Sequence, residues 1–245
     1  TQDYAFGGDM NGYASVARGY KAGGFNQGNP GPAFGPETMW SYEAGLKGEL
    51  FDGRVRLDLA AYYFDYSDLQ VLVAEGPSVV TRNAGQASGR GVELGLTVAA
   101  SEALVLTGGG AWQKAEYDRF NPGNGRNFAG NDLVRSPRLT ASLIADYRPD
   151  PGWSVLPFMR AEGSYRSSQN FNPDNQAYGR QGAYGLVNLS AGATMFDGRV
   201  EASVFVENLF DREYLIDAKV FGEGLLEYTQ RGLPRTWGVS LSASF

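Results

Sequence analysis

The stretch that decides the fold is Thr236-Trp237-Gly238-Val239-Ser240-Leu241-Ser242-Ala243-Ser244-Phe245. Successive side chains of a strand point to opposite faces, so the large apolar residues here would share one face and the small uncharged residues the other. About ten residues are enough for a tilted strand to cross a bilayer. The pattern fits two structures equally well, the closing strand of an outer-membrane β-barrel and the edge strand of a soluble β-sandwich.

Composition restricts the possible functions of the 245 residues. The formal net charge is −6, which argues against nucleic-acid binding because that function calls for a basic patch. The sequence contains no histidine and no cysteine, so the commonest general base, the commonest metal ligand and every thiolate are missing. We therefore expect neither an enzyme nor a bound cofactor.

Hydropathy separates the two ways in which a chain crosses a membrane. No stretch approaches the ~18 consecutive apolar residues of a transmembrane helix. A transmembrane β-barrel needs apolar residues only at alternate positions, and such alternation recurs along the whole chain. The predicted strands are residues 12–18, 38–50, 54–66, 91–99, 104–117, 138–148, 153–165, 186–195, 200–208 and 236–245.

The connections between these strands alternate in length, with about two to four residues at one end and roughly twenty at the other, as in outer-membrane barrels. A soluble barrel has no reason to collect its long loops at one end, so this asymmetry favours the membrane barrel. We predict an all-β fold, an antiparallel up-and-down portion of a transmembrane β-barrel. It has about ten strands, short periplasmic turns and long extracellular loops.

Turns and tryptophans support this topology. Two short turns share one sequence, Phe51-Asp52-Gly53-Arg54-Val55 and Phe196-Asp197-Gly198-Arg199-Val200, whose Asp-Gly pair provides the positive φ of a tight hairpin. The four tryptophans fall at strand ends and predict two aromatic girdles at the membrane interfaces. The girdle residues are Trp40, Trp112, Trp153 and Trp237.

Five segments, taken in order, carry a resemblance to a known family. They are residues 13–26 (YASVARGYKAGGFN), 37–47 (ETMWSYEAGLK), 83–93 (NAGQASGRGVE), 206–214 (VENLFDREY) and 232–236 (GLPRT), followed by the final Phe245. Together they resemble the TonB-dependent outer-membrane receptors of the siderophore receptor type, barrels that import ferric siderophores and related scarce nutrients.

The resemblance implies a larger protein with an energy-coupling box, a plug domain and a complete barrel. Residues 1–245 would be the C-terminal portion of that barrel, with the plug domain and the N-terminal barrel strands absent. Residues 1–6, which look like the tail of a strand, favour the same interpretation. Because the first barrel strand would be missing, we expect a curved open sheet rather than a closed barrel.

The resemblance also implies a function, the TonB-dependent import of a ferric siderophore or similar scarce nutrient across the outer membrane of a Gram-negative bacterium. The alternatives are a passive outer-membrane pore and a small anchoring or adhesion barrel. The implied partners are outer-membrane lipid and lipopolysaccharide, the TonB complex acting through the missing N-terminal part, and the barrel insertion machinery. The implied assembly signal for that machinery comprises Trp237, Val239, Leu241 and Phe245.

The predicted long loops combine aromatic rings with amide and guanidinium groups, which suit an anionic, partly aromatic chelate. The ligand-contact candidates are Phe25, Asn26, Arg126, Phe128, Tyr178 and Arg180. For each of them the alternative role is packing within the loops or contact with lipopolysaccharide. Charged residues on the polar strand faces are expected to line the lumen and to pair across strands. They are Glu43, Lys47, Arg56, Asp58, Glu93, Arg160, Glu162 and Glu201. The alternative, which the sequence favours, is a solvated face that holds the plug or water.

Overall fold

The fold is a single large antiparallel sheet with small hairpins in its loops. The computed structural model describes residues 2–3, 9–26, 33–75, 78–83, 85–122, 125–220 and 227–244. Across these ranges, the one helical segment is the 3₁₀ turn Ala177–Gly179, and no helix has the length and apolar composition needed to cross a membrane.

The described residues form seventeen strands. They are β1 (Gln2–Asp3), β2 (Asp9–Lys21), β3 (Glu37–Leu50), β4 (Val55–Ser67), β5 (Gln70–Glu75), β6 (Ser78–Asn83), β7 (Gln86–Ala99), β8 (Leu104–Arg119), β9 (Leu139–Tyr147), β10 (Val155–Arg166), β11 (Gln169–Asn170), β12 (Arg180–Gln181), β13 (Tyr184–Met195), β14 (Val200–Glu207), β15 (Leu215–Val220), β16 (Glu227–Arg231) and β17 (Thr236–Ala243).

The main sheet has eleven strands in the order β1-β2-β3-β4-β7-β8-β9-β10-β13-β14-β17, and every neighbouring pair is antiparallel. Each of the ten predicted strands has a counterpart, so the up-and-down topology is confirmed. The sheet also includes the two-residue strand β1. Strand β7 begins at Gln86, five residues before the predicted start at Gly91, and pairs with β4 along this extension.

Three regions predicted as loops contain short hairpins, β5–β6, β11–β12 and β15–β16. Their strands have two to six residues. Runs this short carry too few positions for alternation to stand out from a polar loop. The hairpins extend the structure beyond the main sheet at its long-loop end.

The main sheet is open. In the described part of the chain, β17 pairs only with β14, and no ladder connects it to β1 or β2. This confirms the expected open sheet. The sheet is nevertheless curved. Its curvature brings residues from strands as far apart as β2 and β13 to the lining of one cavity.

The two identical turns have the same backbone conformation. Phe51 and Asp52 have φ angles of 55° and 56°, and Phe196 and Asp197 both have 55°. The following glycines have φ of 80° and 86°, respectively. Three consecutive left-handed residues are unusual for L-amino acids, so the glycine relieves the strain at one of the three positions. Positive φ angles therefore occur at the phenylalanine as well as at the Asp-Gly pair, for which the sequence predicted them.

The register aligns the apolar residues into rows on the convex face. Leu46 lies opposite Leu59, Leu59 opposite Leu94, and Leu94 opposite Gly110. These leucines are exposed, as are the four tryptophans of the predicted girdles. Trp40 stacks on Tyr42 with ring centroids 6.4 Å apart and lies under the guanidinium of Arg18 at 5.6 Å. An exposed apolar face of this extent suits contact with lipid, and the role of the tryptophans at the interfaces stays a prediction.

Candidate ligand-binding site

The concave face of the sheet encloses an open cavity of about 820 Å³. Small residues form its floor, among them Gly95, Gly109, Ala111 and Ser142. Their size leaves room above the middle strands, while larger polar and aromatic side chains stand at both sides. The cavity is therefore a trough with different chemistry on its two flanks.

One transverse row of directly opposite residues crosses this trough. In strand order it contains Tyr13, Gly45, Ala60, Glu93, Ala111, Thr140, Arg166 and Tyr184. Ala111 and Thr140 adjoin Trp112 and Leu139, which face the other side of the sheet. The row thus lies beside Trp112 of the predicted outer girdle at β8 and β9, whereas in β2, β3 and β4 it crosses the middle of the strands.

The first flank is acidic and hydrogen-bonded. The Tyr13 hydroxyl donates to Oε1 of Glu43 at 2.7 Å. Lys47 places its Nζ 3.9 Å from Oδ1 of Asp58 and 5.4 Å from the centroid of the Tyr13 ring. Gly45 lies beneath that ring, where an added Cβ would come within 2.5 Å of it. The glycine therefore permits Tyr13 to lie flat along the wall.

The second flank is aromatic and cationic. Tyr184 stacks on Tyr214 with ring centroids 4.7 Å apart and planes 18° from parallel. Gly232 packs so closely against Tyr214 that an added Cβ would lie 1.9 Å from the ring, and its N–H donates to the Tyr214 carbonyl. Arg166, opposite Tyr184, completes this flank.

Toward the short-turn end, charges on the concave face are paired. Arg160 donates to Asp146 on the neighbouring strand at 3.0 Å and to Glu162 on its own strand. Arg56 forms an ion pair with Glu49 across the β3–β4 hairpin. The expected pairing across strands is confirmed for Lys47 with Asp58 and for Arg56, whereas Arg160 also pairs along β10.

The outer loops are tied to one another by asparagine side chains. Asn175, with φ of 54°, accepts from the Asp132 N–H at 2.9 Å and donates to the Asp132 carbonyl at 3.0 Å. This reciprocal pair joins the loop after β8 to the loop after β10. Arg135 then reaches the β15–β16 hairpin through an ion pair with Asp217 at 2.8 Å. The loops after β8, β10 and β14 therefore form one connected unit.

A second asparagine organises the loop between β14 and β17. Asn208 is buried and has φ of 49°. Its side-chain amide donates to the carbonyls of Arg212 and Leu233 at 3.0 and 3.1 Å, and its Oδ1 accepts from the Arg212 N–H at 2.8 Å. Asn208 belongs to the VENLFDREY segment and Leu233 to GLPRT, so the two motifs of the resemblance meet at this residue.

A small apolar core supports the loops outside the membrane. Tyr117 and Phe120 are fully buried there with Val71 and Ala87, and Phe128 packs edge-on against Phe120 at 5.3 Å. Tyr117 lies five residues beyond Trp112, outside the part of β8 that would span the membrane. Burial raises the pKa of Tyr117 to about 12.

The six ligand-contact candidates lie in the outer loops, and none of them is among the cavity-lining residues of the described chain. Several hold the loops together. Asn26 exchanges hydrogen bonds with the Thr81 backbone at 3.0 and 2.6 Å, Phe128 joins the small core, and Arg180 donates to Ser168 at 3.2 Å. Tyr178 donates to Asp174, whereas Phe25 and Arg126 are exposed. Their contact with a ligand stays a prediction.

The cavity residues Arg166, Tyr184 and Tyr214 were not among the sequence candidates. Residues 166–184 were predicted as a loop, although Arg166 continues the polar alternation of Arg160, Glu162 and Ser164. Extending that alternation by one residue identifies Arg166 as inward-facing. No local signal brings Tyr214 to Tyr184, because they are thirty residues apart in the sequence.

Comparison with known proteins identifies the family. Residues 3–209 match the family described as TonB dependent receptor-like, beta-barrel. The chain belongs to this family. The match covers most of the main sheet, from β1 to β14, and confirms both the resemblance and the location in the outer membrane.

Relatives of this receptor chain are considerably longer. The metal-pseudopaline receptor CntO of Pseudomonas aeruginosa is 29% identical over 203 residues, which cover 82% of this chain and 27% of that receptor. The pesticin receptor of Yersinia pestis is 28% identical over 237 residues, which cover 95% of this chain and 33% of that receptor. The chain thus spans about a third or less of these relatives. Both are receptors, in agreement with the expectation that the chain is not an enzyme.

Solved structures of the family share the fold. The ferric yersiniabactin uptake receptor FyuA from Yersinia pestis matches with a TM-score of 0.81 at 27% identity, over 97% of this chain and 35% of that receptor. The ferric preacinetobactin receptor BauA from Acinetobacter baumannii matches with a TM-score of 0.73 at 21% identity, over 96% of this chain and 34% of that receptor. At 21% identity, the similarity to BauA shows a shared fold and nothing further.

Proposed function

We propose that residues 1–245 contribute the C-terminal portion of the barrel of a longer TonB-dependent receptor. The receptor imports a ferric siderophore or a similar metal chelate across the outer membrane. The observation that carries this proposal is the polar trough on the concave face of a sheet whose convex face is apolar, in a chain of this family. The receptor FyuA is named for ferric yersiniabactin and CntO for metal-pseudopaline, which supports a metal chelate as the cargo.

Each surface of the sheet has a part in this function. Lipid and lipopolysaccharide cover the convex face, where the apolar rows and the tryptophans are exposed. Cargo enters from the long-loop end and reaches the trough from outside. The TonB complex acts through parts of the receptor beyond these residues. The insertion machinery recognises the apolar face of β17 with Trp237, Val239 and Leu241, while Phe245 lies outside the described residues.

The test is uptake by the full-length receptor in a Gram-negative strain that lacks its own siderophore receptors. Cells are given ⁵⁵Fe-yersiniabactin or ⁶³Ni-pseudopaline, with TonB either intact or deleted. We expect accumulation of at least one chelate, and only when TonB is intact. Equal accumulation without TonB would instead indicate the passive pore. Surface-exposed receptor that accumulates neither chelate would reject both of these cargoes.

A further inference from the structure

Two cations lie directly opposite each other on the convex face of the sheet. Arg90 of β7 is the cross-strand partner of Lys114 of β8. Side chains in that relation have Cβ atoms about 5 Å apart, and like charges placed there repel each other. Lys114 forms an ion pair with Glu116 at 2.8 Å, whereas among the described residues Arg90 has neither an ion pair nor a hydrogen bond. The pair therefore retains one uncompensated positive charge.

The surroundings of Arg90 do not depend on further strands of the barrel. Strand β7 pairs with β4 on one side and with β8 on the other, while the open edges of the sheet are at β1–β2 and β17. A segment inside a closed barrel would lie on the concave side, and Arg90 is exposed on the convex side. Asp65 is its diagonal neighbour on β4, at about 7–8 Å, which is beyond the distance of an ion pair. The free charge thus faces the membrane side of the wall.

The two cations lie at the boundary between the apolar face and the loops. Lys114 is two residues beyond Trp112 on the same face of β8, and Arg90 is two residues beyond Val92, the partner of Trp112. With Trp112 at the interface, as the girdle predicts, both cations reach the level of the lipid headgroups. Basic side chains at this level attract anionic headgroups.

The side chains around Arg90 match the other parts of a lipid molecule. Toward the middle of the membrane, β7 presents three exposed apolar residues on the same face, Val92, Leu94 and Leu96. On the β4 side, the partner of Arg90 is Tyr63, which is exposed and has its ring 6.2 Å from that of Tyr42. The surface thus combines cations, exposed tyrosine rings and an apolar strip, in that order from the loops inward at β7 and beside it.

We propose that Arg90 and Lys114 bind a phosphate of lipid A, the membrane-embedded part of lipopolysaccharide. The guanidinium of Arg90 donates to the phosphate oxygens, Tyr63 packs against the adjoining sugar, and the acyl chains lie along the apolar strip of β7. Lipid A carries its phosphates on an acylated sugar backbone, which these three features fit together. The site rests on the proposed contact of the convex face with lipopolysaccharide, and it adds the group that is bound and the residues that bind it.

The experiment titrates delipidated full-length receptor in detergent with lipid A and counts the bound molecules by native mass spectrometry. We expect Arg90→Gln to bind lipid A about fivefold more weakly than wild type, since one basic residue near an anionic headgroup is lost. The double variant Arg90→Gln/Lys114→Gln should bind about twentyfold more weakly. Arg90→Lys keeps the charge and should stay close to wild type.

The controls separate the phosphate from the remainder of the lipid. Phosphatase-treated lipid A should bind wild type weakly, and Arg90→Gln should not weaken it further. Arg199→Gln removes an exposed arginine at the short-turn end and should leave lipid A binding unchanged. Phosphatidylglycerol carries a phosphate without the sugar backbone and should bind wild type more weakly than lipid A does.

The proposal is overturned if Arg90→Gln binds lipid A as tightly as wild type, or if removal of the phosphates leaves binding to wild type unchanged. The second comparison needs no variant. Phosphatidylglycerol that binds as tightly as lipid A, with the same loss in Arg90→Gln, would assign the site to phospholipid and also overturn it. Uptake is a separate measurement, so a receptor that accumulates neither chelate but loses lipid A through Arg90→Gln rejects the proposed cargoes and retains this site.

Discussion

Single asparagines in left-handed conformations hold the outer loops in shape. Asn175 connects two loops, and Asn208 connects the end of β14 to the segment that precedes β17. Asparagine tolerates this conformation better than other non-glycine residues, and its amide offers both a donor and an acceptor. Each residue therefore combines a backbone role with a side-chain role, which a substitution series can separate.

Asn208→Ala removes three hydrogen bonds and leaves the carbonyls of Arg212 and Leu233 and the Arg212 N–H without this partner. We expect the loop to lose about 2–4 kcal/mol of protection, since each lost hydrogen bond contributes ~0.5–1.5 kcal/mol and alanine disfavours positive φ. Hydrogen exchange of residues 209–214 in the full-length receptor measures this. Asn208→Gly should recover about 1 kcal/mol, because glycine accepts the backbone conformation. If the alanine variant keeps the hydrogen-exchange protection of the wild type, the Asn208 side chain does not stabilise the loop.

At the scale of elements, the period-two pattern assigns each strand residue to a face, and the register reproduces that assignment across the sheet. Leu94 lies in the apolar row of the convex face, whereas Thr97, three residues later, lies on the concave face opposite Thr107 and Arg56. The two positions thus allow the same substitution to be compared on opposite faces of one strand.

Leu94→Arg should lower the stability of the full-length barrel by about 2–4 kcal/mol, the range for an arginine facing lipid near mid-membrane. Thr97→Arg places the same side chain on the polar face and should have a much smaller effect. Urea titration in phospholipid vesicles gives both values under one condition. If the two variants unfold at the same urea concentration, the assigned faces are incorrect.

Sequence patterns predicted the strands well because a spanning strand of eight or more residues repeats its alternation several times. For the hairpin β5–β6 the sequence indicated only an apolar stretch at residues 69–73 as a possible strand extension, because the strands have six residues each; in the structure the Gln70 N–H also donates to the Glu37 carboxylate. The candidate site was harder to predict. Arg166, Tyr184 and Tyr214 come together through register and loop packing, whereas Asn26, a sequence candidate, forms hydrogen bonds with the Thr81 backbone.

At the scale of the whole molecule, the open sheet has two edges along β1–β2 and β17. In the described residues, the outer side of β17 has no strand partner, so its backbone N–H and C=O groups are available for pairing. In lipid such groups have no water to bind, and each unsatisfied group costs several kcal/mol. The edges therefore need further strands wherever the sheet lies in a membrane.

Residues 1–245 expressed without other chain segments should aggregate or insert poorly, because their unpaired edges associate with other copies or remain unsatisfied in lipid. The measurement is heat-modifiable migration in detergent gels, which reports a closed barrel, together with the fraction recovered in the outer membrane. The full-length receptor under identical expression is the control. Heat-modifiable monomers of the short chain would contradict this expectation, as would TonB-dependent uptake of ⁵⁵Fe-yersiniabactin by cells that contain it alone.

The sequential order of the main sheet has a consequence for how such a protein changes over evolutionary time. Among the described residues, each long strand pairs with the long strand before it along the sheet, so the pairing order sets no fixed number of strands. A gene duplication or deletion that adds or removes one complete hairpin leaves every other pair in register. Strands are therefore gained or lost in pairs. A single extra strand would reverse the direction of every strand that follows and move their long loops to the periplasmic side.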